Sequence, residues 1–223
     1  MSTLFVVATP IGNLKDITLR AIETLKEVDL ILAEDTRVTK KLLFHYDIRV
    51  PLKSYHEHSD QKMLDFVAQT MRQGKNVAMV TDAGTPAISD PGARLVAYMR
   101  NALPEVKITP IPGPSALISA LSVAGISADS FTFLGYPPHK KGRQTFFKNL
   151  EKIEVRPIVL YESPHRLEKT FEALAEVFGE NRDVIVAKEL TKLHEEIWRG
   201  TIEEAKKYFT GLKSKGEFTL ILL

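Results

Sequence analysis

Short apolar runs rich in β-branched residues alternate with amphipathic stretches through the first half of the chain. LFVVAT, LILAE, NVAMVT and VKITPI read as strands. Apolar residues at helical spacing mark helices from about Ile17 to Lys26, near Lys40, from Gln61 to Met71 and from Ala93 to Asn101. Strands that are apolar at consecutive positions need cover on both faces, so the pattern predicts an α/β fold with a parallel sheet between helical layers. The first run has no basic segment before it, and Pro10 and Gly12 interrupt it well short of a membrane span. It reads as a buried first strand.

The segment from Thr109 to Ser115 holds three prolines and a glycine, which continue neither a helix nor a central strand. It predicts a boundary between an N-terminal lobe, 1–113, and a C-terminal lobe, 114–223. Beyond it the pattern gives a helix from Ala116 to Val123, the strand FTFLGY, a Pro-Pro turn, a helix around Phe146 and the strand PIVLYES. A helix from Arg166 to Phe178, the strands DVIVAKEL and EEIWRGT, a helix from Ile202 to Leu212 and the strand EFTLILL complete it. EEIWRGT has no helix before it, so it is expected to form a hairpin with its neighbour, and the second sheet is expected to be mixed.

The composition narrows the chemistry. With 44% hydrophobic and 26% charged residues the chain is far from the signature of disorder. It has no cysteine, which excludes disulfides, thiolate metal sites and cysteine nucleophiles, and a cytoplasmic location is expected. A net charge of +2 is too small for nucleic-acid binding by bulk charge, so any such role rests on local patches. One candidate is His139, Lys140, Lys141, Arg143 and Lys148 with Phe146 and Phe147 among them; the sequence alone favours a solvated helix start with two core aromatics.

Three Gly/Pro turns directly follow predicted strands, where ligands of α/β sheets bind. The first, from Ala8 to Leu14, lets Gly12 bring backbone close to a ligand and matches neither GxGxxG nor a Walker A sequence. In the second, from Val80 to Gly92, Asp82 can accept from ligand hydroxyls or an ammonium, and Gly84 and Thr85 can offer amides to an anion. Ser89 or Asp90 is expected to cap the next helix, with Pro91 as its first residue. The third is Pro112 to Ala116, where Ser115 can act as a cap.

ATPIGNLKDITLRA, AEDTR, SYHEHS, VTDAGTPAISDPG, PIPGPSA and LYESPHRL occur here in the order seen in one family. By these motifs the chain resembles the small-subunit ribosomal RNA methyltransferases that modify the 2′-hydroxyl of a decoding-region cytidine, a branch of the tetrapyrrole-methylase fold. Thr81 stands where serine is commoner, and many members continue past the last strand. The resemblance implies a two-lobed homodimer that binds S-adenosylmethionine between its lobes, acts on small-subunit ribosomal RNA in an assembled subunit and contacts no membrane. By motif it places Ile11, Gly12, Asp82, Ala83, Gly84, Thr85, Ser115 and Ala116 at the cofactor. Tyr161, Glu162, Ala187, Gly216, Glu217 and Phe218 are added from the second lobe.

Methyl transfer to a hydroxyl needs alignment of donor and acceptor, and it gains from a base within hydrogen-bond reach. Glu34, Asp35 and His56 are the candidates for base or acceptor contact. Arg37, Lys140, Lys141, Arg143, His165 and Arg166 are those for RNA phosphates. Structural readings stand beside these: Asp35 or Thr36 as a helix cap with Arg37 in a surface ion pair, His56 and His58 as an exposed loop pair on opposite sides of an extended segment, and Ser163 as N-cap with Pro164 opening a helix. No metal is expected. A small-molecule acceptor on the same fold, or a non-catalytic RNA-binding module, are the alternatives. The TDAGTP loop, in place of the GDP-type loop of the tetrapyrrole branch, argues against the first.

Overall fold

A computed structural model describes residues 2–223. The chain forms two compact units, Met1–Ser115 and Ala116–Leu223. Among the described residues no helix is long and apolar enough to cross a membrane.

The first unit runs β1 (Thr3–Val7), α1 (Leu19–Glu27), β2 (Leu30–Ala33), α2 (Thr36–His45), β3 (Leu52–Ser54), α3 (Gln61–Arg72), β4 (Val77–Val80), α4 (Gly92–Ala102) and β5 (Lys107–Ile111). Its sheet has the order β3-β2-β4-β1-β5, and every pairing is parallel. All strand C-terminal ends therefore open on one edge. β2 and β4 are buried at every position because alternate residues enter different cores. Leu30, Leu32, Val77 and Met79 pack with Leu64, Met71, Leu95 and Met99 from α3 and α4; Ile31, Ala33, Ala78 and Val80 pack with Ala21, Leu25, Leu42 and Leu43 from α1 and α2. Helix starts are fixed by side chains: Thr18 Oγ1 accepts from Ala21 N at 3.1 Å and Asp60 Oδ1 from Met63 N at 3.0 Å.

The second unit runs α5 (Ala116–Val123), β6 (Thr132–Phe133), α6 (Arg143–Leu150), β7 (Ile158–Glu162), α7 (Leu167–Phe178), β8 (Asp183–Lys188), β9 (Glu196–Thr201), α8 (Ile202–Tyr208) and β10 (Phe218–Leu222). The order is β6-β7-β10-β8-β9, parallel only between β6 and β7. This is the mixed sheet with a β8-β9 hairpin that the polar-apolar run EEIWRGT implies. Two elements are shorter than expected: β6 keeps two residues of FTFLGY, and α8 stops at Tyr208 before a 3₁₀ turn over Gly211–Ser214. Ile158, Leu160, Val184, Val186, Leu220 and Leu222 face the core formed with α6, α7 and α8. Val159, Ile185, Ala187 and Ile221 face the core formed with α5.

One expected cap is met and one is corrected. Asp90 caps the start of α4, its Oδ1 accepting from Gly92 N at 2.7 Å with Pro91 in helical backbone between them, and the same oxygen accepts from Ala87 N at 2.7 Å, closing the preceding loop on itself. α7 begins at Leu167, after a turn in which Arg166 N donates to Ser163 O at 3.1 Å, so Ser163 and Pro164 precede the helix.

Candidate functional site

The three turns expected at the cofactor are tied to each other within the first unit. Thr9 and Gly84 exchange both backbone hydrogen bonds, Thr9 N to Gly84 O at 2.9 Å and Gly84 N to Thr9 O at 3.1 Å, which joins the turn after β1 to the turn after β4. Thr85 Oγ1 donates to Pro114 O at 3.2 Å and adds the turn after β5. Gly84 sits at φ +86° with Ile11 and the Pro114 carbonyl against the place a Cβ would fill. This corrects one expectation: the Gly84 amide is used in binding the turns together, so its role is to shape the loop.

Replacing Gly84 by valine forces a β-branched residue into the left-handed region, a cost of about 1–2 kcal/mol. Calorimetric titration of that variant with S-adenosylmethionine is expected to show binding weakened roughly tenfold or more, whereas an affinity equal to wild type contradicts the assignment.

Asp82 is exposed at the centre of this edge. Its Oδ1 accepts from Asp35 N at 2.9 Å, fixing the β2 loop to the β4 loop and leaving Oδ2 for a ligand. Asp35 is the N-cap of α2, its Oδ1 accepting from Arg37 N at 2.8 Å, and its other oxygen meets Arg37 Nη2 at 2.5 Å. The Arg37 hydrogen bonds hold the Asp35 carboxyl at about 2, below its ordinary 3.8. Since the folded-state value is the lower one, this contribution is complete above about pH 4 and is lost as pH falls toward 2. Arg37 is 87% exposed, so the pair is screened by salt and adds little stability. A carbon-detected NMR titration is expected to give an Asp35 midpoint near 2 that moves up in Arg37→Ala.

Glu34 behaves differently. It is half-buried, Oε2 accepts from Thr81 Oγ1 at 3.0 Å, and burial pushes its carboxyl above the ordinary range, helped by Asp82 and Asp90 and opposed by the Thr81 bond. It lines an open hollow of about 350 Å³ together with Glu57, Ser89, Asp90 and Pro91. His56 lies beside this region in a turn, where His58 N donates to His56 Nδ1 at 3.2 Å and the ring centroids are 6.3 Å apart. The two histidines therefore face each other, correcting the extended geometry that would set them on opposite sides. Among the described residues no group of His, Asp and Glu has the placement of a metal site.

In the second unit Tyr161 and Ala187 pair with Thr219 from either side, on the face toward α5, and the Tyr161 hydroxyl accepts from Leu117 N at 3.1 Å. Gly216, at φ +110°, lies where a Cβ would meet Glu189 Cγ at 2.5 Å, and Glu217 N donates to Glu189 Oε1 at 2.9 Å. Glu217 also pairs with Lys192. Glu162 and Phe218 point to the opposite face, because neighbours in a strand alternate. Phe218 is core.

The Glu162 carboxylate is fully buried and bonded by Arg166 at 2.8 Å, Thr170 at 2.6 Å and Ser163 N at 2.7 Å, with Arg143 Nη1 at 3.9 Å. Arg143 and Arg166 also hold the Pro138 and Pro137 carbonyls. Three expectations are thereby corrected: the Glu162 side chain is structural, and Arg143 and Arg166, 16% and 13% exposed, are spent on it and unavailable to RNA. Lys140, Lys141 and His165 remain exposed. Thr170 and Tyr55 are site-building residues to which the sequence pattern gives no role, and Asp90 is read there only as a helix cap.

An all-parallel sheet whose strand-end turns are hydrogen-bonded together beside a carboxylate hollow, followed by a mixed sheet, is the architecture of the tetrapyrrole-methylase class. The family model described as Tetrapyrrole (Corrin/Porphyrin) Methylases matches residues 3–206, and the chain belongs to that family. Within it, the chain is 48% identical to the ribosomal RNA small subunit methyltransferase I of Thermotoga maritima over 222 residues, covering 100% of this chain and 98% of that protein. It is also 48% identical to the Synechocystis protein of the same name, of which it covers 79%, and 45% identical to that of Bacillus subtilis, of which it covers 75%. Among solved structures, a cobalt precorrin-4 methyltransferase superposes with TM-score 0.73 at 19% identity, over 99% of this chain and 94% of that one. The uroporphyrin-III-C-methyltransferase of Thermus thermophilus gives 0.68 at 18%, over 100% and 94%. These two show the fold. The methyl donor of the family is S-adenosylmethionine, and the first unit's edge fits it: Asp82 offers an exposed carboxylate for hydroxyls or an ammonium, beside small residues and a loop that Gly84 keeps thin.

Proposed function

We propose that this enzyme methylates the ribose 2′-hydroxyl of a cytidine in small-subunit ribosomal RNA, with Glu34 as the base. The observation that carries this reading is the position of Glu34. It is a half-buried carboxylate at the end of β2, joined through Thr81 and the Asp35–Asp82 bond to the loop that takes the cofactor. S-adenosylmethionine supplies an activated methyl group, so the protein's task is to align the acceptor and remove its proton.

A ribose hydroxyl attacks poorly while protonated, and a carboxylate with a raised pKa is a better proton acceptor than an ordinary one. Asp35 is held low by Arg37 and committed as a helix cap, which leaves it an anchor of the β2 loop. His56 is exposed and suits an acceptor contact. Arg37, Lys140, Lys141 and His165 offer exposed groups to phosphates. The names of the curated relatives support ribosomal RNA as acceptor, and the family resemblance supports an assembled subunit as the substrate and a homodimer as the working form.

The test incubates the purified protein with small ribosomal subunits lacking the modification and with methyl-labelled S-adenosylmethionine. Label in a single alkali-resistant cytidine nucleotide is expected. Label on a porphyrinoid and none on RNA establishes the small-molecule alternative, and cofactor binding with no transfer establishes a binding module.

A further inference from the structure

Behind the Glu34 hollow lies a second, smaller recess that the methyl transfer itself does not use. It is bordered by Glu34, Tyr55, Met79, Thr81, Pro86 and Asp90, and shares Glu34, Asp90 and Pro91 with the larger hollow. Its free volume of about 10 Å³ admits one group the size of a water molecule or an amine.

Tyr55 and Asp90, which border the recess, each carry a buried polar atom without a hydrogen-bond partner, Oη and Oδ2. Tyr55 is 3% exposed, and burial, with Arg94 opposing and Asp90 adding to it, pushes its hydroxyl up. Orphaned buried polar atoms are costly, and two on one recess point to a ligand group that pairs with both. The arrangement is held in place. Asp90 Oδ1 is fixed by Ala87 N and Gly92 N, and Ala87 and Ser89 adopt φ of 71° and 63°, values that non-glycine residues rarely take.

We propose that this recess reads the acceptor base, the exocyclic amine of cytosine donating to Asp90 Oδ2 and Tyr55 Oη, so that cytidine is accepted and uridine refused. The inference rests on the RNA reading above and names the specificity element of that site. The amine carries two N–H groups and meets two acceptors. Uracil places a carbonyl oxygen there, which can accept from the Tyr55 hydroxyl but stands against the Asp90 carboxylate oxygen and leaves that buried acceptor unsatisfied. The larger hollow holds the ring, and Glu34, common to both hollows, stands toward the ribose.

The test compares kcat/KM for small subunits reconstituted with cytidine or with uridine at the methylated position. The wild-type enzyme is expected to prefer cytidine by about 5- to 150-fold, the range of one good base-edge pair. Asp90→Asn keeps a carbonyl oxygen for Ala87 N and Gly92 N and turns the recess-facing atom into a donor, so the preference is expected to fall to about unity or to reverse. Tyr55→Phe is expected to lower kcat/KM for cytidine while raising the melting temperature of the free protein, because an unpaired buried hydroxyl is removed.

A preference unchanged in both variants overturns the proposal, as does an Asp90→Asn enzyme that loses affinity for S-adenosylmethionine together with its preference. A wild-type enzyme that methylates neither subunit refutes the RNA reading itself, and one that methylates both equally refutes only the recess.

Discussion

Glu162→Leu is expected to lower the free energy of unfolding by about 3–5 kcal/mol, the largest stability loss of any single polar substitution in this chain. The carboxylate is fully buried, and its removal leaves Arg166 and Arg143 inside the second unit without a counter-charge. The loss comes from that stranded charge, since a buried ion pair as a whole contributes much less than the breaking of it costs. Thr170→Val removes the hydrogen bond to Glu162 and the one accepted from Arg143 Nη2 and leaves the charges paired, so about 1–3 kcal/mol is expected. Urea unfolding with an unchanged m-value checks both. A change below about 1 kcal/mol in Glu162→Leu contradicts the structural role given to this residue.

Glu34→Gln is expected to lower kcat by about 10²- to 10⁴-fold, the usual worth of a positioned base. Glutamine retains an oxygen for Thr81 Oγ1, so the fold of the β2 loop is preserved. The pH dependence carries the sign. Burial, with Asp82 and Asp90 adding to it and Thr81 opposing, lifts the Glu34 carboxyl above 4.5. The working form of a base is the deprotonated one, so wild-type kcat falls as pH is lowered through that raised value. In Glu34→Gln the acid limb disappears while the residual rate stays flat. A variant that keeps the limb places the base elsewhere.

The alternation of apolar runs and amphipathic helices was sufficient to read the parallel first sheet, and EEIWRGT without a preceding helix was sufficient to read the hairpin. Both follow from backbone periodicity, which the sequence carries locally. Asp35 and Asp90 were legible as caps for the same reason, each bonding an amide two residues on.

What escaped depended on distance. Thr170 and Arg143 reach Glu162 from separate helices, and no local pattern sets an arginine at a solvated helix start apart from one folded back onto a buried carboxylate. The family motif ESPHRL drew attention to Arg166, yet its guanidinium turns inward to Glu162 and Pro137. Tyr161 and Glu162, adjacent in sequence and grouped by the resemblance, face opposite sides of β7, a consequence of the strand period that the motif match passed over. Gly84 was read as offering its amide to a ligand; that the amide would be taken by Thr9 required the strand order that brings the ends of β1 and β4 together.

The claim on which the account turns is that the hydrogen-bonded turns after β1 and β4 hold the methyl donor. An experimental structure of the protein with S-adenosylhomocysteine bound tests it most directly. The account predicts ligand hydroxyls or ammonium on the Asp82 carboxylate and main-chain contacts at Ile11, Gly12, Ala83 and Thr85. A ligand seated away from these residues, with Asp82 bonded only to Asp35, contradicts it.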